Sequence, residues 1–265
     1  MLKDETQLPV EDALAGSGPL NLRLLTLNTH KGFNAFNRRF VLHELREAIR
    51  GMAADVVFLQ EVQGEHEGHR ERHANWPTQP QYEFLADSIW NQYAYGRNAV
   101  YTEGHHGNAV LSKFPIVHYD NHDISIAGPE RRGLLHCVLR LPGGRPDMHL
   151  FCAHLSLLES HRREQVERLM ALIQVKVPPE APLLVAGDFN DWRGSLHRPL
   201  RRVGLEELWV GSQGQAARSF PAAWPLMRLD RIYLRNFQQA SPLSLSPAPW
   251  SKLSDHLPLA AEVSL

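Results

Sequence analysis

Residues 183–191 read Leu-Leu-Val-Ala-Gly-Asp-Phe-Asn-Asp, and this segment constrains the fold of the chain more than any other. A short apolar run that follows a proline and ends in polar residues predicts a buried strand. The end of that strand delivers Asp188 and Asn190 to the edge of a sheet, where folds with parallel strands build their sites. In an extended backbone the two side chains point the same way. Together they can bind a metal, orient a water molecule or donate to a phosphate, although Gly, Asp and Asn are also common in turns.

Other apolar runs of the chain end in a similar way. Asn28, Glu61 and His154 each follow such a run. Asp230 lies within a late apolar run, and Asp255 and His256 come just before the last one. A carboxylate that is buried without a partner costs on the order of several kcal/mol, so chance rarely places so many at strand ends. The pattern therefore predicts one shared polar site.

The residue types in this set favour one kind of chemistry. Oxygen atoms of Asn, Asp and Glu are hard ligands that suit Mg²⁺ or Mn²⁺ better than zinc. A histidine near neutral pH can accept a proton from water, and a carboxylate such as Asp230 can orient its ring. The sequence contains neither a serine or cysteine nucleophile motif nor a P-loop. These features indicate metal-assisted attack by water on a phosphorus centre.

Composition places the chain among ordinary globular proteins. It has 265 residues, of which 43% are hydrophobic and 22% charged. We expect a flexible tail over residues 1–19 and a single domain over 20–265, because no linker interrupts the middle. The net charge of −1 lacks the basic surplus of a dedicated duplex-DNA binder, although Arg131 and other arginines could form a local patch.

The two cysteines and the lack of long apolar runs indicate the cellular compartment of the protein. Cys137 and Cys152 flank the turn-rich stretch 142–146, so we expect them to face each other across a hairpin as buried free thiols. Neither a secretory signal nor a run of about 18 apolar residues is evident. We therefore expect a cytoplasmic, monomeric protein without a transmembrane segment, with peripheral membrane contact left open.

Periodicity predicts many strands and few helices. Strands are predicted at 22–28, 55–61, 108–112, 134–139, 149–155, 183–188, 229–234 and 257–263. Helices are predicted at 38–52 and 194–203, and a third after Ser156 and Glu159, which have capping-box spacing. Residues 63–79 are predicted to form a loop or a short helix. This order favours two stacked sheets covered by helices.

Seven motifs together resemble the endonuclease/exonuclease/phosphatase superfamily. They are Leu-Asn28-Thr-His, Leu-Gln-Glu61-Val, Gly107-Asn108-Ala-Val-Leu-Ser112, Ala-His154-Leu, Gly187-Asp188-Phe-Asn190, Leu-Asp230-Arg-Ile and Ser254-Asp255-His256. They occur in the family order and cover residues 21–265. The resemblance implies an α/β fold of the DNase I-like kind, a four-layer α/β sandwich of two packed, mostly antiparallel sheets flanked by helices.

The resemblance also implies site roles. Glu61 matches the metal ligand, with Asn28 and Asp255 close to the same Mg²⁺ or Mn²⁺. Asp188 and Asn190 match positions that orient the water and contact the phosphate. His256 matches the catalytic histidine, paired with Asp230, and His154 matches a phosphate-binding or acid position. The family question of whether the position of Asp188 or of His256 activates the water carries over.

The substrate is less determined than the chemistry. Asn108, His106 and Arg131 are predicted to contact it. The implied activity is a phosphodiesterase, hence a nuclease or a hydrolase of phospholipid headgroups, with a soluble phosphate ester as a further option. His154 stands where abasic-site endonucleases carry a tyrosine, so the chain looks more like DNase I and sphingomyelinases. A catalytically silent binding or scaffold protein on the same fold is the alternative from another class.

Aromatic and histidine residues outside the motifs are harder to interpret. His66, His69 and His73 have helical spacing, but no fourth ligand is evident, so a solvated surface is expected rather than a zinc site. Trp224 and Trp250 lie in proline-rich loops. They are expected to pack, or else to form a membrane-facing edge or a base-stacking platform.

Overall fold

The computed structural model describes residues 18–87 and 89–265, and these residues form twelve β-strands and six α-helices. The strands are β1 Asn21–Asn28, β2 Val56–His66, β3 Gln92–Tyr101, β4 Gly104–Ser112, β5 Ile116–Asp123, β6 Gly133–Leu139, β7 Met148–His154, β8 Leu183–Asp188, β9 Glu206–Glu207, β10 Asp230–Arg235, β11 Gln239–Leu243 and β12 Leu259–Ser264. The helices are α1 Leu42–Gly51, α2 Glu67–Arg72, α3 Gln81–Ala86, α4 Glu159–Lys176, α5 His197–Arg201 and α6 Leu208–Gln213. Short 3-10 turns cover His30–Gly32 and Trp250–Lys252.

The strands form two six-stranded sheets. Their orders are β11-β12-β1-β2-β4-β3 and β5-β6-β7-β8-β10-β9. Each sheet has one parallel pair at its centre, β1 with β2 and β7 with β8. The other pairings among the described strands are antiparallel. The predicted sandwich of mostly antiparallel sheets is confirmed. Because parallel strands end at the same edge, each sheet brings two carboxyl ends together.

Three apolar clusters account for the four layers. One lies between the sheets, where Phe58 of the first sheet and Ile232 of the second belong to the same buried cluster. A second packs α1 against the first sheet around Leu45, and a third packs α4 against the second sheet around Leu169. Full burial of one such side chain stabilises the fold by about 1.5–3 kcal/mol. The order of layers is therefore helix, sheet, sheet, helix.

Burial of both faces explains why the central strands read as continuous apolar runs. In β1, Leu24 faces the cluster between the sheets, whereas Leu25 and Leu27 face the helical side. In β8, Leu184 and Val185 divide between the two sides in the same way. A strand covered on both faces loses the polar alternation of a half-exposed strand.

Several element boundaries differ from the sequence prediction. Helix α1 begins at Leu42 rather than near 38, and β2 continues to His66 into the segment predicted as loop. The predicted capping box at the start of α4 is wrong, because Leu158 is the N-cap and no side chain caps it. The amide of Gln165 instead bonds the backbone N–H and the hydroxyl of Ser156. A polar side chain from the second turn of the helix thus bonds Ser156 in place of a local cap.

The two cysteines and the chain ends agree in part with expectation. Both thiols are free and buried. Strands β6 and β7 form the expected hairpin, but Cys152 pairs with Leu135, so the cysteines are diagonal neighbours rather than directly opposite. Most of the predicted tail, residues 1–17, lies outside the described residues. Within the described chain, no helix has the length and apolar character needed to span a membrane.

Candidate active site

The two sheets bring the predicted motif residues to one end of the sandwich. Asn28 ends β1, His154 ends β7 and Asp188 ends β8. Asp230 begins β10 and pairs with Asp188 across the antiparallel ladder. Glu61 lies at an irregularity of β2, where its φ of 54° interrupts the register with β4. Such a bulge turns a side chain away from its normal direction.

Gly187 allows the close approach of β7 and β8 next to the site. Its φ is 143°, and an added Cβ would lie 1.9 Å from the carbonyl oxygen of Ala153. No side chain fits there, because real contacts of this kind are much longer. The glycine of the Gly-Asp-Phe-Asn motif is therefore required for strand packing that positions Asp188.

Asn28 connects the two sheets. Its Nδ2 donates to Oδ2 of Asp188 at 3.2 Å and lies 3.4 Å from Oε1 of Glu61. Its Oδ1 accepts from the backbone N–H of His30, and the hydroxyl of Ser254 donates to its carbonyl oxygen. Every polar group of this nearly buried residue thus holds a neighbouring part of the site.

Asp230, His256 and Asp188 form the catalytic group proposed from the sequence. Nδ1 of His256 lies 2.8 Å from Oδ2 of Asp230, and its Nε2 lies 3.8 Å from Oδ2 of Asp188. All three side chains are buried. A carboxylate on one ring nitrogen fixes the ring and favours the imidazolium form, so the other nitrogen is presented as a donor toward Asp188.

Burial and charge set the protonation of this group. Burial lowers the pKa of His256, but the carboxylates of Asp230 and Asp188 raise it to about 10. Burial also raises the pKa of Asp188 to about 6, with Asp230 adding to the effect and His256 opposing it. At neutral pH the site therefore holds a protonated His256 beside an Asp188 whose pKa lies near neutrality.

Glu61 is the ionised carboxylate of the site. Burial alone would raise its pKa, but the ammonium group of Lys31, which contacts the carboxylate, and His30 hold the pKa well below its usual range. Burial lowers the pKa of His154 well below its ordinary value, so His154 is neutral, and Lys31 supplies the persistent charge. Nζ of Lys31 lies 3.2 Å from Oε2 of Glu61. This contact shows that the open side of the carboxylate accepts a cation.

Asp255 lies on the other side of Asn28. Its Oδ1 is 3.2 Å from Nδ1 of His30, and the Ser254 hydroxyl also contacts it. Burial raises the pKa of Asp255, but His30 and His256 lower it by a larger amount, so the net shift is downward. Glu61 and Asp255 are thus two ionised carboxylates, which fit a hard divalent ion such as Mg²⁺ or Mn²⁺. The side-chain oxygen of Asn28 accepts from the backbone of His30, and its amide nitrogen faces Glu61.

A second, more compact donor group overlaps the catalytic residues. Ligand atoms of Asp188, Asp230 and His256 lie within 4.8 Å of one another, and among the described residues this is the one such group of His, Cys, Asp and Glu. Asp230 and His256 already bond each other, so part of the donor capacity of this group is used within it, whereas Glu61 and Asp255 lie outside the group.

His106 and Arg132 complete the wall around His154. Burial lowers the pKa of His106 to about 4, assisted by Lys31. After burial, the positive charge of Arg132 is the largest influence that lowers the pKa of His154. By contrast, Arg131 is exposed, and the group on which it acts is Asp123. The structure therefore places Arg132 rather than Arg131 beside the site.

Asn108 and Asn190 are buried, and their side-chain amides donate hydrogen bonds to backbone carbonyls. Nδ2 of Asn108 donates to the carbonyls of Gly133 and Cys152, and its Oδ1 has no partner among the described residues. The backbone N–H of Asn190 donates to Oδ1 of Asp188, and its Nδ2 donates to Leu155. Asn190 thus positions Asp188, and Asn108 ties β4 to the second sheet.

The histidines predicted to form a solvated surface, His66, His69 and His73, do not do so. His66 is buried, and its ring lies 3.8 Å from that of His69. His69 and His73 also contact Phe33, so the three rings belong to an aromatic cluster under α2. The expectation of solvation is wrong because the segment folds back onto the loop after β1. Trp250 is buried, as expected for packing, whereas Trp224 is exposed.

Comparisons with known proteins identify the class. A match to the Endonuclease/Exonuclease/phosphatase family spans residues 25–256, so the chain belongs to that family. The Escherichia coli (strain K12) protein YbhP, described as uncharacterized, is 51% identical over 246 residues, which cover 92% of this chain and 97% of that protein.

Solved structures agree on the fold. An endonuclease/exonuclease/phosphatase from Beutenbergia cavernae has a TM-score of 0.73 and 20% identity, covering 92% of this chain and 72% of that chain. TDP2 from D. rerio, solved with a single-strand DNA product, has a TM-score of 0.62 and 16% identity, covering 92% and 98%.

Sequence reasoning missed three neighbours of the motif residues. His30 and Lys31 lie two and three residues after Asn28, and Arg132 precedes Gly133 at the start of β6. Two positive φ values, 46° at His30 and 55° at Lys31, turn these side chains toward Asp255 and Glu61. The motif Asn-Thr-His-Lys named the residues but not this turn. The available signal was the pair of basic residues close in sequence to Asn28, a predicted metal ligand.

Proposed function

We propose that the protein is a divalent-metal-dependent phosphodiesterase that hydrolyses its substrate with an activated water molecule, and that residues 20–265 act as one catalytic domain. The observation that carries the proposal is the contact of His256 with Asp230 and Asp188, beside the separate carboxylates of Glu61 and Asp255. Family membership supports hydrolysis of phosphoesters.

Residues of the first sheet suit the metal. Glu61 and Asp255, with Asn28 between them, would hold Mg²⁺ or Mn²⁺. The bound ion would withdraw charge from a phosphoryl oxygen and neutralise the developing negative charge. Lys31 contacts Glu61, and Arg132 acts on His154, so both would attract the anionic diester to this position.

The protonation states favour one assignment of the acid and the base. Asp188 is the base, because its pKa of about 6 allows it to be ionised at neutral pH and still accept a proton from water. Asn28 and the backbone of Asn190 hold its two oxygens. His256 remains protonated and donates from Nε2 to a phosphoryl oxygen, while Asp230 stabilises its charge. His154 is neutral and donates to the substrate or its leaving oxygen.

Two substrate classes fit this core, a nucleic acid and a phospholipid headgroup. The solved TDP2 complex with single-strand DNA product shows that a similar fold accepts a nucleic acid product. The chemistry at phosphorus is the same in both cases, so substrate choice depends on surfaces outside the core.

The test combines activity with metal binding. Wild type, Glu61→Gln and His256→Ala are assayed on bis(p-nitrophenyl) phosphate with Mg²⁺, with Mn²⁺ and with EDTA. We expect turnover with metal, and losses of about 10² to 10⁴ in both variants. Thermal unfolding gives a second readout, because Mg²⁺ should raise the Tm of wild type and of His256→Ala but not of Glu61→Gln. Unchanged turnover in both variants would contradict the proposal, and a wild type that neither turns over nor binds metal would favour a silent scaffold.

A further inference from the structure

Seven exposed apolar side chains lie on loops that adjoin the strands of the candidate active site. They lie on four loops, residues 29–41, 155–158, 189–196 and 214–229, and we call them the apolar rim: Phe36, Leu157, Leu158, Trp192, Trp224, Leu226 and Met227. Phe36 is 75% exposed and Trp224 73% exposed. Exposed apolar residues are unremarkable when scattered, but a contiguous group marks an interaction site.

All four loops leave the same end of the sandwich. The first three follow β1, β7 and β8, which end in Asn28, His154 and Asp188, and the fourth leads into Asp230. The fourth loop also packs directly on the site, because the Phe220 ring lies 5.0 Å from that of His256. The apolar rim and the catalytic group therefore face the same side of the protein.

A buried arginine holds two of the loops in place. Arg162 of α4 is fully buried, and its Nη1 donates to the carbonyls of Ser156 and Leu157. The same guanidinium lies 4.7 Å from the ring centre of Trp192. This arrangement presents Leu157 and Trp192 to solvent from a fixed backbone, so insertion into a partner requires little ordering.

The same loops are strongly basic. They contain six basic residues, Lys31, Arg38, Arg39, Arg193, Arg218 and Arg228, and one acidic residue, Asp191. Asp191 is buried and accepts bonds from Ser195 and Leu196. Lys31, Arg39 and Arg193 form ion pairs with Glu61, Glu44 and Glu159 outside these loops. Arg38, Arg218 and Arg228 therefore carry the charge that is available to a partner. The chain as a whole has a net charge of −1. Positive charge is thus concentrated where the apolar side chains are.

We propose that the apolar rim docks on the surface of an anionic phospholipid bilayer. Aromatic side chains among basic residues can also stack on nucleic acid bases. However, Leu157, Leu158, Leu226 and Met227 are aliphatic and have no ring to stack. They gain most by entering the boundary between headgroups and acyl chains, while nearby arginines contact anionic headgroups. Docking in this orientation presents headgroup phosphodiesters to the active site, and only that choice of substrate rests on the proposed function.

Vesicle flotation tests the docking without any need for turnover. The intact protein is mixed in EDTA at low salt with vesicles of phosphatidylcholine, with or without phosphatidylglycerol. The test variant is Trp224→Ser/Leu226→Ser, and Leu157→Ser/Leu158→Ser on another loop is a second. Val175→Ser is the matched control, because Val175 is 81% exposed but lies near the far end of α4, about 26 Å of helix from the rim. Equal urea midpoints show that the variants fold.

We expect wild type and Val175→Ser to float with the anionic vesicles, less at high salt, and both double variants to bind about tenfold or more weakly. Arg38→Gln/Arg218→Gln should weaken binding as well, whereas Arg140→Gln, beyond the opposite end of β6, should not. No flotation of wild type with anionic vesicles, or equal flotation of the double variants, overturns the proposal. If wild type instead binds a single-stranded oligonucleotide and the double variants lose that binding, the rim is a base-stacking platform and the lipid proposal is wrong.

Discussion

Asp188→Asn should abolish activity and yet raise stability. In the folded protein, burial and the neighbouring Asp230 raise the pKa of the Asp188 carboxyl from its ordinary value of 3.8 to about 6. A carboxyl whose pKa is raised by folding disfavours the folded state when it is ionised. The difference between the two pKa values corresponds to about 3 kcal/mol above pH 6. A neutral asparagine removes this unfavourable contribution.

Changes in the local hydrogen bonds offset part of this gain in stability. Oδ1 of Asp188 accepts from the backbone of Asn190, and an asparagine can keep this bond. Oδ2 accepts from Nδ2 of Asn28, and there the new amide would place one donor against another. An unsatisfied buried donor costs about 1–3 kcal/mol. We therefore expect a net stabilisation of about 1–2 kcal/mol, or about 2–8 °C in Tm for a chain of this size.

Urea unfolding in EDTA at pH 7.5 and pH 5.0 measures the effect. Because wild-type Asp188 becomes protonated as the pH falls through 6, the charge contribution should fall to roughly half at pH 5.0, and the advantage of the variant should shrink. The control is Asp191→Asn, a buried carboxylate in the same loop that accepts bonds from Ser195 and Leu196. It should lose stability at both pH values. A variant Asp188→Asn that is no more stable than wild type at pH 7.5, or whose advantage is independent of pH, would refute the reasoning.

Three further predictions follow from single contacts. Asp230→Asn should lower kcat by about 10² to 10⁴, because the orientation and charge of His256 depend on this carboxylate. The pKa of His256, measured by NMR, should also fall, and an unchanged pKa would contradict the pairing of His256 with Asp230. Arg132→Gln should raise KM for an anionic diester by about tenfold or more, whereas the exposed Arg131→Gln should change it little; equal effects would remove the distinction between the two arginines. Burial, with His149 close by, lowers the pKa of His136 to about 3, so protonation favours unfolding as the pH falls below 6.5. His136→Phe should therefore reduce the loss of stability between pH 7.5 and pH 5.5 by about 1 kcal/mol. Leu139→Ala in the same strand is the control for urea unfolding, because it should lower stability equally at both pH values.

The sequence predicted the strands that are buried on both faces and the residues at their ends. Runs such as 22–27 and 183–186 are long, apolar and sharply ended, because helices cover one face of each sheet and the other sheet covers the second. Strands β3 and β5 escaped prediction, since they carry exposed polar residues and lack that contrast. The edges of a sandwich leave a weaker pattern than its centre.

A local pattern alone places a site residue where that residue follows a strand directly, whereas Asp255 and His256 were predicted from the family resemblance of their motif. Asn28 and Asp188 are positioned by regular strands, so the end of an apolar run is enough to place them. Lys31 and Arg132 reach the site through turns whose geometry depends on tertiary contacts. The side chains of Asn108 and Asn190 bond backbone carbonyls of other strands, which no local pattern records. Distances across the two sheets thus decide which polar residues act together.

Features that are locally unfavourable collect at one end of this protein, and that concentration is itself an argument for function. Among the described residues, eight other than glycine have positive φ, and four of these, His30, Lys31, Glu61 and Asn190, belong to the site. Asp188 is ionised at a cost in stability, and the apolar rim exposes side chains that a core would bury. A fold selected for stability alone would remove each of these features independently. Their presence together around Asp188 and His256 is explained if one end of the sandwich must hold a metal, activate water and meet an apolar, anionic partner at the same time.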